Sequence, residues 1–470
     1  MSSTPRLLLP RSTPEEVGID PAGIADLVRA LDEGGGAHSL MVVRHGHVVA
    51  EHWWHPHAAD QRHTMFSVSK TFTAMAVGLA VHEGLISLDD RVVELLADDL
   101  PADPSENLRA MTVRHLLTMT AGFEFDTMNA ITDDEMPWVR TILAVPVVRA
   151  PGSRFLYDTG VTHLLAAIMQ RVTGQRLLDW LTPRLLAPLG IEGATWQQSS
   201  EGIDAGGFGM NLTSEHMAAF GQLLVQGGRW GDSQLIPAEW VADATHHHSD
   251  PSVMGWGPES MVGYGYQLWH CTAPGAYRAD GAFGQFIVVW PEHNAVVVIT
   301  SGLPFETQNE QLARLWRHLG PAFDRTPAEP AASLADLHLP LPSGSAWPEG
   351  LGDLAFAWEG GSLAVRRDRE LAVIETAELT VAAGLGAWFE NGPRVPVDGE
   401  HRILFGAYAW ADERTLVIRG VVTGTPYVRT ATIALAADGA TADIVIEQNA
   451  GFGSLQLVRA TAATVLQPTA

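Results

Sequence analysis

Ser67-Val68-Ser69-Lys70 lies near the start of the stretch Met65–His82, MFSVSKTFTAMAVGLAVH, and the reading of that stretch decides the fold. Apolar and small residues run through it turn after turn, and Gly84 follows as a helix stop. The pattern predicts a helix over 65–82 that is buried on most faces. Ser67 and Lys70 are three residues apart at its beginning, so their side chains share one face. A buried amine beside a hydroxyl can take its proton once the amine pKa falls. The positive end of the helix also favours developing negative charge. A capped helix with a surface lysine has the same spelling, and S-x-x-K alone is common by chance. Ser69 adjoins Lys70 and points elsewhere on the helix, which leaves Ser67 as the nucleophile candidate.

Upstream, Leu40–Val43 and Val48–Trp54 are apolar, β-rich runs joined by Arg44-His45-Gly46-His47, a predicted β-hairpin. Downstream, helices are expected at Val113–Met119, at Val161–Val172 closed by Gly174, and at Ala218–Val225 ended by Gly227-Gly228. Phe286–Thr300 reads as a strand. Gln308–Leu319 reads as an amphipathic helix that covers the sheet. Together these read as a mixed domain of strands and helices over 1–320. A Pro-rich linker is expected at 321–349. Beyond it, 350–470 reads as all β. The strand-like runs are Ser362–Arg366, Glu370–Glu375, Ile403–Ala407, Thr415–Val421, Thr430–Leu435, Ala442–Glu447 and Ser454–Arg459. Gly360-Gly361, Asn391-Gly392 and Asp438-Gly439 are the expected turns. An antiparallel sandwich or barrel is predicted, with Trp388, Phe389, Tyr408 and Trp410 available to fill it.

Composition narrows the function. Lys plus Arg number 29 against 54 Asp plus Glu, a formal charge of −25. That argues against a nucleic-acid partner and against docking on anionic membranes. Cys271 is the single cysteine, so neither an intrachain disulfide nor a cysteine-based zinc site can form. The three leucines before Pro10 are too short for a signal peptide, and no apolar run reaches membrane-spanning length. A soluble cytoplasmic protein is the expectation.

Two further stretches carry chemistry. Tyr157-Asp158-Thr159-Gly160 precedes the helix at Val161, where a tyrosine can project into a cleft and shuttle a proton. Tyr277-Arg278-Ala279-Asp280-Gly281-Ala282-Phe283-Gly284-Gln285 precedes a strand. Gly281 there permits close approach of a backbone or substrate, and a free N–H on such a strand suits an oxyanion hole.

In order and spacing, these three stretches resemble the serine β-lactamase and penicillin-binding-protein superfamily, in its class C-like branch. His115-Leu116-Leu117-Thr118-Met119-Thr120-Ala121-Gly122, Pro188-Leu189-Gly190-Ile191, Gly206-Gly207-Phe208-Gly209-Met210, Phe220–Gly228 and Leu235-Ile236-Pro237-Ala238-Glu239-Trp240 fit the same pattern. The resemblance covers about residues 12–320. It implies a β-lactamase-like α/β (α+β) fold, an antiparallel sheet flanked by helices plus a helical subdomain, and an appended C-terminal domain that can be a lipocalin-like barrel. It implies Ser67 as acylated nucleophile and Lys70 with Tyr157 as the proton-transfer pair. The N–H groups of Ser67 and Ala282 would form the oxyanion hole.

Two departures shape the expected substrate. Thr159 stands where the superfamily usually has Asn. Ala279-Asp280-Gly281 stands where a Lys or His usually receives the carboxylate of a β-lactam or a D-Ala-terminated peptide. An Arg278–Asp280 pair is the structural alternative to a functional Asp280. This form is similar to bacterial esterases and amide hydrolases such as 6-aminohexanoate-dimer hydrolase. The expectation is an acyl-enzyme hydrolase of small neutral or amine-bearing esters or amides, without cofactor, with homodimer formation left open. Thr159, Asp280, Gly281, Tyr264 and Trp269 are the substrate-binding candidates. The histidines His45, His47, His52, His55, His57, His63 and His246–His248 read as solvated turn and strand residues rather than metal ligands. Two rivals stand beside this reading: a penicillin-binding-protein-type thioesterase or acyltransferase, and a catalytically silent binding protein on the same fold.

Overall fold

The hairpin is built as its sequence dictates. Strands β1 (Ala37–Arg44) and β2 (His47–Trp53) are joined by His45 and Gly46, with φ of 52° and 79°. Two consecutive left-handed residues match the twist of the strands they connect. The computed structural model describes residues 7–133, 135–327, 336–397 and 399–467. The hairpin forms one edge of a six-stranded antiparallel sheet completed by β3 (Trp269–His270), β4 (Tyr277–Gly281), β5 (Gln285–Trp290) and β6 (Ala295–Ser301), in the order β2-β1-β6-β5-β4-β3. The expected single strand at Phe286–Thr300 is therefore two, β5 and β6. Pro291 cannot continue the ladder, and Asn294 at φ 46° reverses the chain between two equally apolar runs.

Both faces of β5 and β6 are buried, so the sheet is a middle layer. One face is covered by helices α1 (Pro21–Gly34) and Glu310–His318, through Leu27, Leu31, Leu312 and Leu315. On the other face lie α2 (Ser69–His82) and α4 (Ser214–Val225), and the helical region runs on from there. Phe72 of α2 stacks on Phe220 of α4 with ring centroids 3.8 Å apart. The predicted helix at 65–82 begins later than its apolar pattern. A 3-10 turn, Phe66–Val68, precedes α2 because Phe66 takes φ 48°. Helix α3 (Thr159–Thr173) is capped by the Asp158 side chain and ends on Gly174 at φ 67°. The helix at Val113 stops at Leu117, before Met119 at φ 57°.

The C-terminal region is a closed barrel. Strands β7 (Asp353–Trp358), β8 (Gly361–Asp368), β9 (Leu371–Glu375) and β10 (Thr380–Leu385) run on through β11 (Phe389–Val397) to β12 (Glu400–Trp410), β13 (Thr415–Val422), β14 (Val428–Leu435), β15 (Thr441–Gln448) and β16 (Gln456–Gln467). β16 pairs with β7, and β10 pairs with β12 in parallel, which closes a ring of nine strands with β11 outside it. Tyr408 and Trp410 pack inside with Phe356, Val365, Ile433 and Ile444. Trp388 does not; it packs against the main sheet's core, and Phe389 is exposed. The turn expected at Asn391-Gly392 lies within β11. The Asn391 amide exchanges two 2.8 Å bonds with the Ala382 backbone, as a strand would, and so keeps the chain extended through a register slip.

The described flanks of the Pro-rich stretch are bound to their surroundings, while 328–335 lie outside the described residues. Ala322 and Phe323 are buried. Leu337 and Leu339 hydrogen-bond His55, and Ser345 pairs with Trp410. Barrel and main sheet are tied by the Arg62–Glu400 ion pair at 2.7 Å and by Asn449 Nδ2 donating to Gly302 O at 2.6 Å. Gly424 O also accepts from Thr64 N–H at 2.8 Å, three residues before Ser67. His57 and His63, expected to be solvated, are buried beneath this junction. The chain from β2 to Ser67 runs under the barrel turn at Gly424, and sequence alone could not show that cover. No helix among the described residues is long and apolar enough to cross a membrane.

Candidate active site

Ser67 sits on a turn that its neighbours hold in place. The left-handed conformation of Phe66 costs on the order of 1–2 kcal/mol for a residue with a β-carbon. Its ring is met edge-on by Phe283 at 5.0 Å, and the ring of the barrel's Phe452 stands 6.2 Å away. The 3-10 bonds of the turn are donated by Val68 and Ser69, so Ser67 N–H is not used in them. Ser69 Oγ is committed to structure: it donates to Phe66 O at 2.6 Å and accepts from Met210 N–H at 3.1 Å.

Lys70 Nζ lies 3.1 Å from Ser67 Oγ, 3.3 Å from Thr159 Oγ1 and 2.8 Å from Gly207 O. A β-carbon on Gly207 would stand 2.8 Å from Thr159 Cγ2, so glycine is what lets that carbonyl reach the amine. Burial lowers the Lys70 pKa to about 8, with the Asp126 and Asp158 carboxylates pulling the other way. Asp158 Oδ1 accepts from Gly160 N–H and from both the N–H and hydroxyl of Thr127, while Asp126 Oδ1 accepts from Thr159 N–H. Burial and the neighbouring Asp126 raise the Asp158 pKa well above the usual carboxylate range.

The Tyr157 ring centre is 5.0 Å from Lys70 Nζ. Burial pushes its phenol pKa up, against a hydrogen bond with Ser67. Trp269 at 5.4 Å and Trp256 at 5.7 Å hold the ring. Tyr264 meets Trp269 edge-on at 4.9 Å and is itself buried, one layer behind the cleft wall.

The third wall is β4. Arg278 Nε donates to Asp280 Oδ2 at 2.7 Å, and Nη1 donates to the carbonyls of Glu259 and His270. The Arg278–Asp280 pair is thus formed and almost wholly buried. Gly281 is pressed against the turn that carries Ser67: a β-carbon there would lie 2.2 Å from Met65 O. Phe283 N–H is taken by Gln308 Oε1 at 2.6 Å, and the β4–β5 ladder ends at Gly281 and Gln285. Ala282 N–H lies between these two fastenings.

These elements enclose a cleft of about 440 Å³. Ser67, Tyr157, Thr159, Trp269, Asp280 and Ala282 all line it. The lining also includes Asp126, Trp256, Phe305, Glu306 and Phe452, which local sequence patterns did not single out. Phe452 comes from the barrel, at 75 % exposure between two glycines, a spelling that announces only a turn. Among the described lining residues there are three carboxylates and no Lys, Arg or His.

The beta-lactamase family model matches residues 24–322, which carry all of this machinery except Phe452. The chain belongs to the beta-lactamase family. It is 26 % identical over 300 residues to the 6-aminohexanoate-dimer hydrolase of Paenarthrobacter ureafaciens, covering 60 % of this chain and 76 % of that one. Two solved structures share the fold at low identity. A family VIII carboxylesterase superposes with a TM-score of 0.53 at 15 % identity, over 67 % of this chain and 98 % of its own. SurE superposes with a TM-score of 0.52 at 18 % identity, over 94 % of this chain and 98 % of its own, so that likeness runs through the barrel. This beta-lactamase-family chain is a serine hydrolase.

Proposed function

We propose that the chain hydrolyses small carboxylic esters or amides through an acyl-enzyme on Ser67, and that it is a poor β-lactamase. The observation that carries this reading is Lys70. It is a buried amine with a lowered pKa, within hydrogen-bond reach of Ser67 Oγ, and its remaining contacts are neutral oxygens rather than a carboxylate. In the neutral amine, the two N–H groups serve Gly207 O and Thr159 Oγ1, and the lone pair receives the Ser67 proton. The resulting alkoxide attacks the substrate carbonyl. Ser67 N–H and Ala282 N–H stabilise the oxyanion of the tetrahedral intermediate. Tyr157 keeps its proton at neutral pH, and its contact with Ser67 suits it to pass a proton to the departing alcohol or amine. Water then attacks the acyl-serine by the reverse relay.

The cleft's charge supports the substrate class. Asp126, Asp280 and Glu306 face it, and among the described residues no cationic lining residue is there to receive a carboxylate. Arg278 cannot serve, because Asp280 occupies it. Neutral or amine-bearing substrates fit this field, and the aromatic wall fits a hydrocarbon substituent. The relative named for hydrolysis of a 6-aminohexanoate dimer supports amides as well as esters. The test is turnover of p-nitrophenyl acetate and butyrate, with intact-mass detection of the acyl adduct, for wild type and Ser67→Ala. Activity and adduct should both vanish in the variant. Equal rates in the two proteins, with no adduct in either, would sink the proposal in favour of a silent binding fold.

A further inference from the structure

We propose that His38, His57 and His63 form a binding site for one transition-metal ion, buried where the main sheet meets the barrel and separate from the cleft. His38 stands on β1; His57 and His63 lie on the segment that leads from β2 to Ser67. All three are buried, and one ring nitrogen from each falls within 4.8 Å of the others.

The hydrogen bonding orients two of the rings for ligation. His63 Nδ1 is 2.8 Å from Thr64 O, so it carries the proton and leaves the Nε2 lone pair free. A ligating histidine is commonly fixed by such a bond to a backbone carbonyl. That Nε2 is 3.0 Å from His38 Nδ1. Two imidazole nitrogens on a tetrahedral ion, each about 2.0–2.1 Å from it, stand roughly 3.3 Å apart. Only a small opening of this contact admits the ion, once the proton that His38 donates from Nδ1 has moved to its own Nε2. The third ring has to move. His57 is stacked on His38 at 3.8 Å, and ligation in the ring plane requires it to tilt away. What restrains it is weak, since Gly424 N–H reaches its Nδ1 only at 3.5 Å.

The ion-free cluster is also under-satisfied. His38 Nε2 and His57 Nε2 are buried with no hydrogen-bond partner among the described residues. A donor set of imidazole nitrogens suits Zn(II), Co(II), Ni(II) or Cu(II) rather than Mg(II) or Ca(II). The ion would fasten β1 to the segment that ends in the nucleophile turn, a structural role outside the acyl-transfer chemistry.

The test uses the full chain, stripped with a chelator and returned to chelator-free buffer. Co(II) is titrated in and read by visible absorption, followed by Zn(II) competition and thermal unfolding. A variant with His246, His247 and His248 all changed to Ala removes the exposed histidine run as an adventitious site. The expected result is one Co(II) per chain with the intense bands of a tetrahedral site. Zn(II) displaces it, and the unfolding temperature rises by several degrees. The His246–His248 variant keeps this behaviour, while His63→Gln and His57→Gln each weaken binding at least tenfold. No uptake by folded wild type overturns the proposal, as does full uptake by a folded His63→Gln chain. If neither single variant folds, the His246–His248 variant decides: loss of the tetrahedral spectrum there assigns the ion to the surface run and overturns the buried site.

Discussion

Gly281→Ala puts the contact between β4 and the turn that carries Ser67 to the test. A β-carbon at 281 would stand 2.2 Å from Met65 O and 3.0 Å from Gln285 Cβ. The nearer neighbour is backbone, so no side chain can swing aside, and the strand has to retreat by about 1 Å to reach an ordinary contact. The two proposed oxyanion donors ride on the segments being pushed apart: Ala282 follows Gly281, and Ser67 is two residues past Met65. A displacement near 1 Å lowers a rate by about 10²-fold, and loss of one oxyanion donor by about 10²–10³-fold, roughly 2.7–4 kcal/mol. The expectation is therefore a fall of about 10²–10³ in kcat for p-nitrophenyl acetate with KM little changed, because the lost interaction is made in the transition state. Gly284→Ala serves as the comparison. Its φ is 88° and its added carbon would lie 2.7 Å from Ser301 Oγ, so it strains the fold without touching Met65. Steady-state kinetics and thermal unfolding of both variants separate the two effects. A folded Gly281→Ala enzyme with kcat within a few-fold of wild type would refute the oxyanion assignment.

The remaining predictions concern charge and the cleft wall. Burial lowers the Lys70 pKa to about 8, so the neutral base grows as pH rises through that value. kcat/KM should climb with a one-proton limb there, and a flat profile from neutral to alkaline pH would remove Lys70 as the base. Arg278→Met leaves Asp280 and Glu259 buried without their shared cation. It should destabilise the chain by about 3–5 kcal/mol in urea unfolding, and a change below about 1 kcal/mol would show the pair to be idle. Phe452→Ala removes the barrel's contribution to the cleft. It should raise KM for an aromatic ester several-fold while leaving acetate nearly unaffected, and equal effects on both would deny the barrel a part in specificity.

How much of this was legible depended on the range of the interaction. The hairpin turn, the helix that Gly174 closes and the Ser67–Lys70 spacing are local, set by φ preferences and helical periodicity, and each could be read from a few consecutive residues. The Arg278–Asp280 pair was readable as an alternative because strand residues two apart share a face. The division of Phe286–Thr300 into two strands was missed because both halves are equally apolar, and the short reversal at Pro291–Asn294 between them was read through as strand. Asn391 misled in the opposite way: its side chain stands in for a strand partner that no local pattern shows.

By itself, the sequence determined the chemical inventory of the candidate site and the order in which the chain presents it: Ser67 and Lys70, then Tyr157 and Thr159, then Asp280 through Ala282. Tertiary structure alone decided what surrounds that inventory. Gly207 O reaches Lys70 across 137 residues, and Phe452 enters the cleft from a separate barrel. Burial of Lys70 lowers its pKa, and burial of His38, His57 and His63 under the turn at Gly424 turns three scattered histidines into one cluster. Desolvation and long-range contact arise only when distant segments pack, and no window of consecutive residues contains them.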